Sequence, residues 1–424
     1  MDSEAFNSEK TSQSSISQTT ETASDAPSGT DAEKAQEILD ACRWKDIPKL
    51  QSLAESPGGF LTDTLRQEAW PILLGYSNHV SLNKESVDDG ESVDLTSSGS
   101  DDAASPWRDL APHRDEDQVQ LDVNRAFVYY PNHTSPAELD RQKIELSDLI
   151  VEVLRRHPYL CYFQGYHDIC QVFLLVLPPT SRASLVARLS ALRIRDFMLP
   201  SLAPAIAQLR LIPAILRAAD PKLWRHLSGT EPFFALSGTL TMYAHDVQSL
   251  GGIARLFDAL LAREPAFSVY VFARIVLDRR DELFDVPPSE PEVLHSILSK
   301  LPQPLDIDRL VADSAELFAS HPPESLGAPW SRGISRNSVL KTARTTEACA
   351  AQSIVEGRTF FEKHARELEW AERRDKLLAA AWKYRKPART LGLAIIVGVL
   401  AFWLRRSPGP WAYLTALFSR RSGH

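Results

Sequence analysis

Apolar positions along this 424-residue chain fall in helical rhythm, and no convincing alternating strand interrupts them. Over 138–156, Leu139, Leu146, Leu149, Ile150, Val153 and Leu154 form a 3.6-period stripe that stops before Pro158. The same rhythm predicts helices over 169–177, 184–197, 204–218, 233–243, 252–263, 267–277, 290–300 and 306–319, set apart by prolines and glycine pairs. The pattern predicts an all-α fold. A longer, strongly charged run over 335–386 carries Phe360, Phe361, Leu368, Trp370, Leu377, Leu378 and Trp382. It reads as an amphipathic helical linker, laying one stripe on the domain or offering it to a partner or a membrane surface.

Two stretches lack the rhythm. Residues 1–32 are rich in Ser, Thr, Asp and Glu and nearly free of aromatics, so they are expected to form a disordered tail that buries too little to offset its ordering entropy. The tract at about 80–105 carries Glu85, Asp88, Asp89, Glu91, Asp94, Asp101 and Asp102, and is expected to be a solvated acidic loop. A folded domain over 33–320 is expected around that loop.

The 15 residues of 390–404, TLGLAIIVGVLAFWL, carry no charge and lie between Lys383, Arg385, Lys386 and Arg389 on one side and Arg405 and Arg406 on the other. As a helix they would reach about 22 Å, short of a bilayer core of about 30 Å, although flanking basic side chains can snorkel. A second apolar stretch follows at 411–418, beyond the turn Pro408-Gly-Pro. The expectation is a membrane-anchoring helix within a hydrophobic region over 388–418, with the first 380 or so residues facing the cytosol; a buried core helix is the competing reading.

Composition narrows the partners. With 47 basic and 55 acidic residues the formal charge is −8, which disfavours nucleic acid as the main partner. The acidic, polar N-terminus is no secretory signal, and four cysteines without a C-x-x-C pair do not make a disulfide framework. His157, Cys161, His167 and Cys170 lack the spacing of a zinc ladder, so no metal site is expected. No phosphate-binding G-x-x-x-x-G-K-[ST] loop and no G-x-S-x-G nucleophile turn is present.

Three short patterns carry the candidate chemistry. The first holds Arg66, Trp70 and Pro71, followed by Leu73, Leu74 and Gly75. The second holds Val119, Asp122 and Arg125, and on a helix the carboxylate three residues back would orient the guanidinium. The third holds Tyr162, Gln164, Gly165 and Asp168 among aromatic neighbours. By themselves the second pattern is more often an ordinary surface ion pair, and Gln164 more often a buried amide satisfied by main chain.

In this order, in an all-α chain, the three patterns resemble those of the TBC domain of Rab GTPase-activating proteins. Arg66-x-x-x-Trp70-Pro71 resembles the opening motif, Val119-x-x-Asp122-x-x-Arg125 the I-x-x-D-x-x-R motif, and Tyr162-x-Gln164-Gly165 the Y-x-Q-G motif. The run from Tyr162 to Ile169, with the apolar C-terminal segment, is especially similar to the subgroup anchored in the endoplasmic reticulum. The run from Ser237 to Asp246 departs from the third motif of most members. The resemblance implies that Arg125 acts as an arginine finger and Gln164 as a glutamine finger in the nucleotide site of a Rab of ER-to-Golgi traffic. Asp122, Tyr162, Gly165 and Asp168 would support them. GTP and Mg²⁺ would arrive with the partner, and the chain would carry no cofactor of its own. A catalytically inactive, membrane-tethered Rab-binding scaffold is the alternative.

Overall fold

The computed structural model describes residues 29–76, 106–131 and 135–406. The expected N-terminal tail up to residue 28, the acidic tract and the second apolar stretch at 411–418 lie outside the described residues. Among those described, the chain is helical and has no strand.

The stripe read at 138–156 is the helix Pro136–Arg156, opened by Ser135, whose hydroxyl accepts the Glu138 N–H at 3.2 Å. Leu146, Leu149, Ile150, Val153 and Leu154 are all buried on its inner face. Two expected helices are interrupted, each for a local reason. The run at 204–218 divides at Arg210 into Ala203–Leu209 and Leu211–Ala219, because Pro213 has no N–H for the carbonyl of Leu209 and its ring would crowd that oxygen. The run at 233–243 becomes a 3₁₀ turn, Pro232–Ala235, then Leu236–Leu240. Met242 and Tyr243 then take φ of 50° and 68° and leave the helix.

The core is one continuous apolar cluster. At its centre Trp70, Phe173 and Phe257 meet in tilted and edge-on contacts with centroids 5.5–6.0 Å apart. The opening motif feeds this centre. On the helix Asp63–Leu73, Arg66 and Trp70 stand one turn apart, and both reach the fully buried Asp258. Arg66 Nε donates to Asp258 Oδ1 at 3.0 Å, Trp70 Nε1 donates to the same oxygen at 2.9 Å, and the Phe60 N–H donates to Oδ2 at 3.0 Å. Pro71 sits in the last turn of that helix, which ends two residues later.

The chain does not leave the domain at 320. Trp330, Ile334, Val339, Leu340 and Phe361 are buried in the same core, so the division expected between domain and linker does not coincide with the packing. Two short helices, Val339–Thr342 and Thr346–Ala351, come before a single helix of 53 residues, Ile354–Arg406. That helix docks through its first turns. Gly357 lies so close to the helix Pro179–Leu192 that a Cβ would meet the Ala191 carbonyl oxygen at 2.8 Å, and Glu367 accepts from Asn337 Nδ2 at 2.7 Å. Beyond Leu368, Trp370, Leu377, Leu378 and Trp382 are all exposed.

The expected membrane-crossing helix is not found: among the described residues, no helix is long and apolar enough to span a bilayer. The competing expectation of a buried core helix fails too. Leu393, Ile395, Ile396, Val397, Val399, Leu400, Phe402 and Trp403 are 56–66% exposed at the far end of the long helix.

Candidate functional site

Arg125 follows the helix Glu116–Val123, which ends two residues short of it, so Arg125 and Asp122 do not share a helix face. A turn replaces the helix: the Arg125 N–H donates to the Asp122 carbonyl at 3.0 Å, and this brings Arg125 Nη2 to Asp122 Oδ1 at 2.5 Å. Asp122 is fully buried while the Arg125 side chain is 65% exposed, so the carboxylate is fixed and the guanidinium is held at the surface. Asp122 also accepts from Gln118 Nε2 at 3.2 Å and from the Tyr162 hydroxyl at 2.9 Å.

The segment before Gln164 is pinned along its length. The Cys161 N–H donates to the Met198 carbonyl at 2.9 Å, and the Tyr162 N–H to the Asp115 carboxylate at 2.9 Å. Burial and the neighbouring Asp122 carboxylate push the Tyr162 phenol well above its ordinary pKa, so it remains a donor to Asp122. Gly165, at φ +98°, turns the chain into the helix Tyr166–Val176; a Cβ there would stand 2.6 Å from Thr241 Cγ2. This turn leaves Gln164 exposed at the helix entrance while its neighbours Gly165, Tyr166 and His167 are buried.

Arg125 and Gln164 line one cleft of about 250 Å³, together with Phe127, Tyr130, His167 and His245. Gln164 also borders a larger cleft of about 800 Å³ that runs past Phe163, Phe197 and Leu202. Asp168 stands between the two and accepts from His245 Nδ1 at 3.0 Å. That bond raises the His245 pKa above its ordinary value. His167 goes the other way, its pKa lowered chiefly by burial. Arg66, Trp70 and Pro71 take no part in the clefts; their place is the core.

Of the residues expected by sequence, Asp122, Arg125, Tyr162, Gln164, Gly165 and Asp168 come together here. Asp115, Gln171 and His245 were not anticipated. His245 lies in the run noted only as a departure from a motif, and Asp115 and Gln171 carry no local signal at all. No group of three or more His, Cys, Asp or Glu side chains placed to hold a metal ion occurs among the described residues. Cys161 contacts Arg114 and Cys170 is sealed in the core. What the site offers is a permanently charged planar donor and a neutral amide lining one cleft.

Comparison with known proteins identifies the family. Residues 63–284 match the family model described as the Rab-GTPase-TBC domain, and the chain belongs to this family. Among its relatives is the GTPase-activating protein gyp10 of Schizosaccharomyces pombe, 33% identical over 294 residues, covering 68% of this chain and 73% of that protein. TBC1 domain family member 20 of Homo sapiens is 30% identical over 375 residues, covering 87% of each. A solved structure of the Ypt/Rab-GAP domain of Gyp1p aligns with a TM-score of 0.49 at 15% identity, covering 68% of this chain and 98% of that one.

Proposed function

We propose that this chain accelerates GTP hydrolysis by a Rab-family GTPase of early secretory traffic, supplying Arg125 and Gln164 in trans. One observation carries the reading: an exposed guanidinium, tethered to a buried carboxylate, shares a single cleft with an exposed amide. Phosphoryl transfer from GTP passes through a loose transition state with charge spread over the phosphoryl oxygens, so positioned cations and dipoles do nearly all the work. Arg125 uses one nitrogen to hold Asp122 and turns its remaining donors toward that charge. Gln164 orients the attacking water. GTP and Mg²⁺ come with the partner. Asp122 and Tyr162 hold the arginine, and Gly165 and Asp168 set the turn that presents the glutamine.

The exposed apolar end of the long helix attaches the protein to a membrane, and the similarity to the subgroup of the endoplasmic reticulum favours that membrane, with the domain on the cytosolic side. Residues 388–424 are the attaching part. Without them the protein should remain in the supernatant when floated with phosphatidylcholine–phosphatidylserine vesicles, while the full chain rises; equal flotation of both would remove this part of the reading.

The test of the main reading is a single-turnover hydrolysis screen of the full chain against a panel of GTP-loaded Rabs. Acceleration of at least one early secretory member, lost in both Arg125→Ala and Gln164→Ala, is expected. Binding without acceleration would make the chain a tethered Rab-binding scaffold instead.

A further inference from the structure

We infer that Gln171 is a positioning residue that sets Arg125 relative to Gln164, and this rests on the reading of those two side chains as the acting pair. Gln171 lies in the helix Tyr166–Val176, the helix that Gln164 and Gly165 introduce. It is only 4% exposed and its carboxamide points across to the loop that follows Arg125. The Phe127 N–H donates to Gln171 Oε1 at 3.0 Å, and Gln171 Nε2 donates to the Tyr130 carbonyl at 3.1 Å.

The partners dictate the residue type. An amide N–H can only donate and a carbonyl oxygen can only accept, so the group between them must do both at once. A carboxamide does; a methionine of similar length does neither, and a carboxylate loses the donor. Leaving the two backbone groups unpaired in a buried site would carry their full desolvation cost. The loop has reason to move when released. Phe127 holds φ at +64°, a region that a bulky side chain rarely adopts, while Val128 and Tyr129 at the loop's tip are exposed.

A second anchor bears on the same loop. The Tyr130 hydroxyl donates to the Ala244 carbonyl at 3.1 Å, next to His245, which pairs with Asp168 on the same helix as Gln171. Arg125, two residues before Phe127, is thereby referenced to the helix that presents Gln164. Misplacing a reacting group by about 1 Å can cost about a hundredfold in rate, which sets the size of the effect to look for.

The experiment compares Gln171→Met with the wild-type full chain on a Rab that the chain activates. Maximal rate should fall about 10- to 100-fold while KM for the GTPase changes less than about threefold. In an Arg125→Lys background the same substitution should cost less than about threefold, because a point charge on a flexible stem depends little on how its loop is set. An undiminished rate in Gln171→Met, or the same large loss in both backgrounds, would overturn the inference. Full activity of Arg125→Lys and Arg125→Ala would instead remove the reading beneath it.

A measurement on the wild-type protein needs no folded variant. Hydrogen exchange of the peptide containing Phe127 should show its amide protected, and exchange at the rate of an open loop would count equally against the clamp.

Discussion

Arg66 with Asp258 and Arg125 with Asp122 are the same two residue types, both with a fully buried carboxylate, yet they serve opposite ends. The Arg66 side chain is 6% exposed and is held by Asp258 and by Asp63, the latter at 2.7 Å. The Asp258 carboxylate is shared with an indole N–H and a backbone N–H. The Arg125 side chain gives one nitrogen to its aspartate and is otherwise 65% exposed. A salt bridge sealed on both sides fixes a fold. One sealed only on the acidic side fixes a cation in place and leaves it usable. An arginine's role is decided by what closes over it, not by its partner.

The comparison breaks most visibly at the two arginine sites. Arg125→Ala should lower the hydrolysis rate by about 10³- to 10⁵-fold, or about 4–7 kcal/mol in barrier, while stability falls by only about 1–2 kcal/mol because the buried Asp122 keeps Tyr162 and Gln118 as donors. Asp258→Ala should do the reverse, removing about 3–5 kcal/mol of stability by leaving the buried Arg66 with Asp63 alone and the Trp70 indole and Phe60 N–H unpaired, as denaturant titration would record. Large stability loss from Arg125→Ala, or none from Asp258→Ala, would erase the distinction.

Smaller changes sharpen it. Asp122→Asn keeps an acceptor for Tyr162 but removes the charge that steers Arg125, so a rate loss of about 10- to 100-fold with about 1–2 kcal/mol of destabilisation is expected from paired kinetic and melting measurements. Gly165→Ala forces a side chain into φ +98° and against Thr241, and should cost about 1–3 kcal/mol while displacing Gln164.

The gentlest effect concerns pH. His245 has a raised pKa in the folded protein because of its bond to Asp168, so its contribution is complete below the unfolded value near 6.5 and disappears as pH rises through the folded value. His167, lowered by burial, acts oppositely and weakens the fold as pH drops below about 6.5. Melting temperature followed from about pH 5.5 to 8.5 should lose its alkaline decline in His245→Gln and keep it when His167 alone is replaced.

Much of the fold could be read from periodicity, which reports the face a helix buries. Leu146, Leu149, Ile150, Val153 and Leu154 are inside because their spacing leaves no other option. What periodicity does not report is the partner. Arg66 and Asp258 meet across 192 positions, and nothing local in either marks the other. Phe361 belongs to the charged run whose stripe is expected on the domain or on a partner, whereas Trp330 lies between the predicted helices, where periodicity reports nothing. At the site, Asp122, Arg125 and Gln164 belong to compact motifs. Gln171 looks like one polar residue in an apolar helix, and only the loop folded over it gives the amide its purpose.

The long helix sets a distance. From Leu368, which packs against the core, to the exposed Leu393 the backbone stays helical, and at about 1.5 Å per residue that length is about 38 Å. A surface that received the apolar tip would hold the domain in a thin shell of fixed height. Within that shell the local concentration of the domain for any surface-bound protein would be set by arm length together with the number of copies on the surface. Adding or removing whole turns would then retune encounter rates without touching a single residue of the clefts.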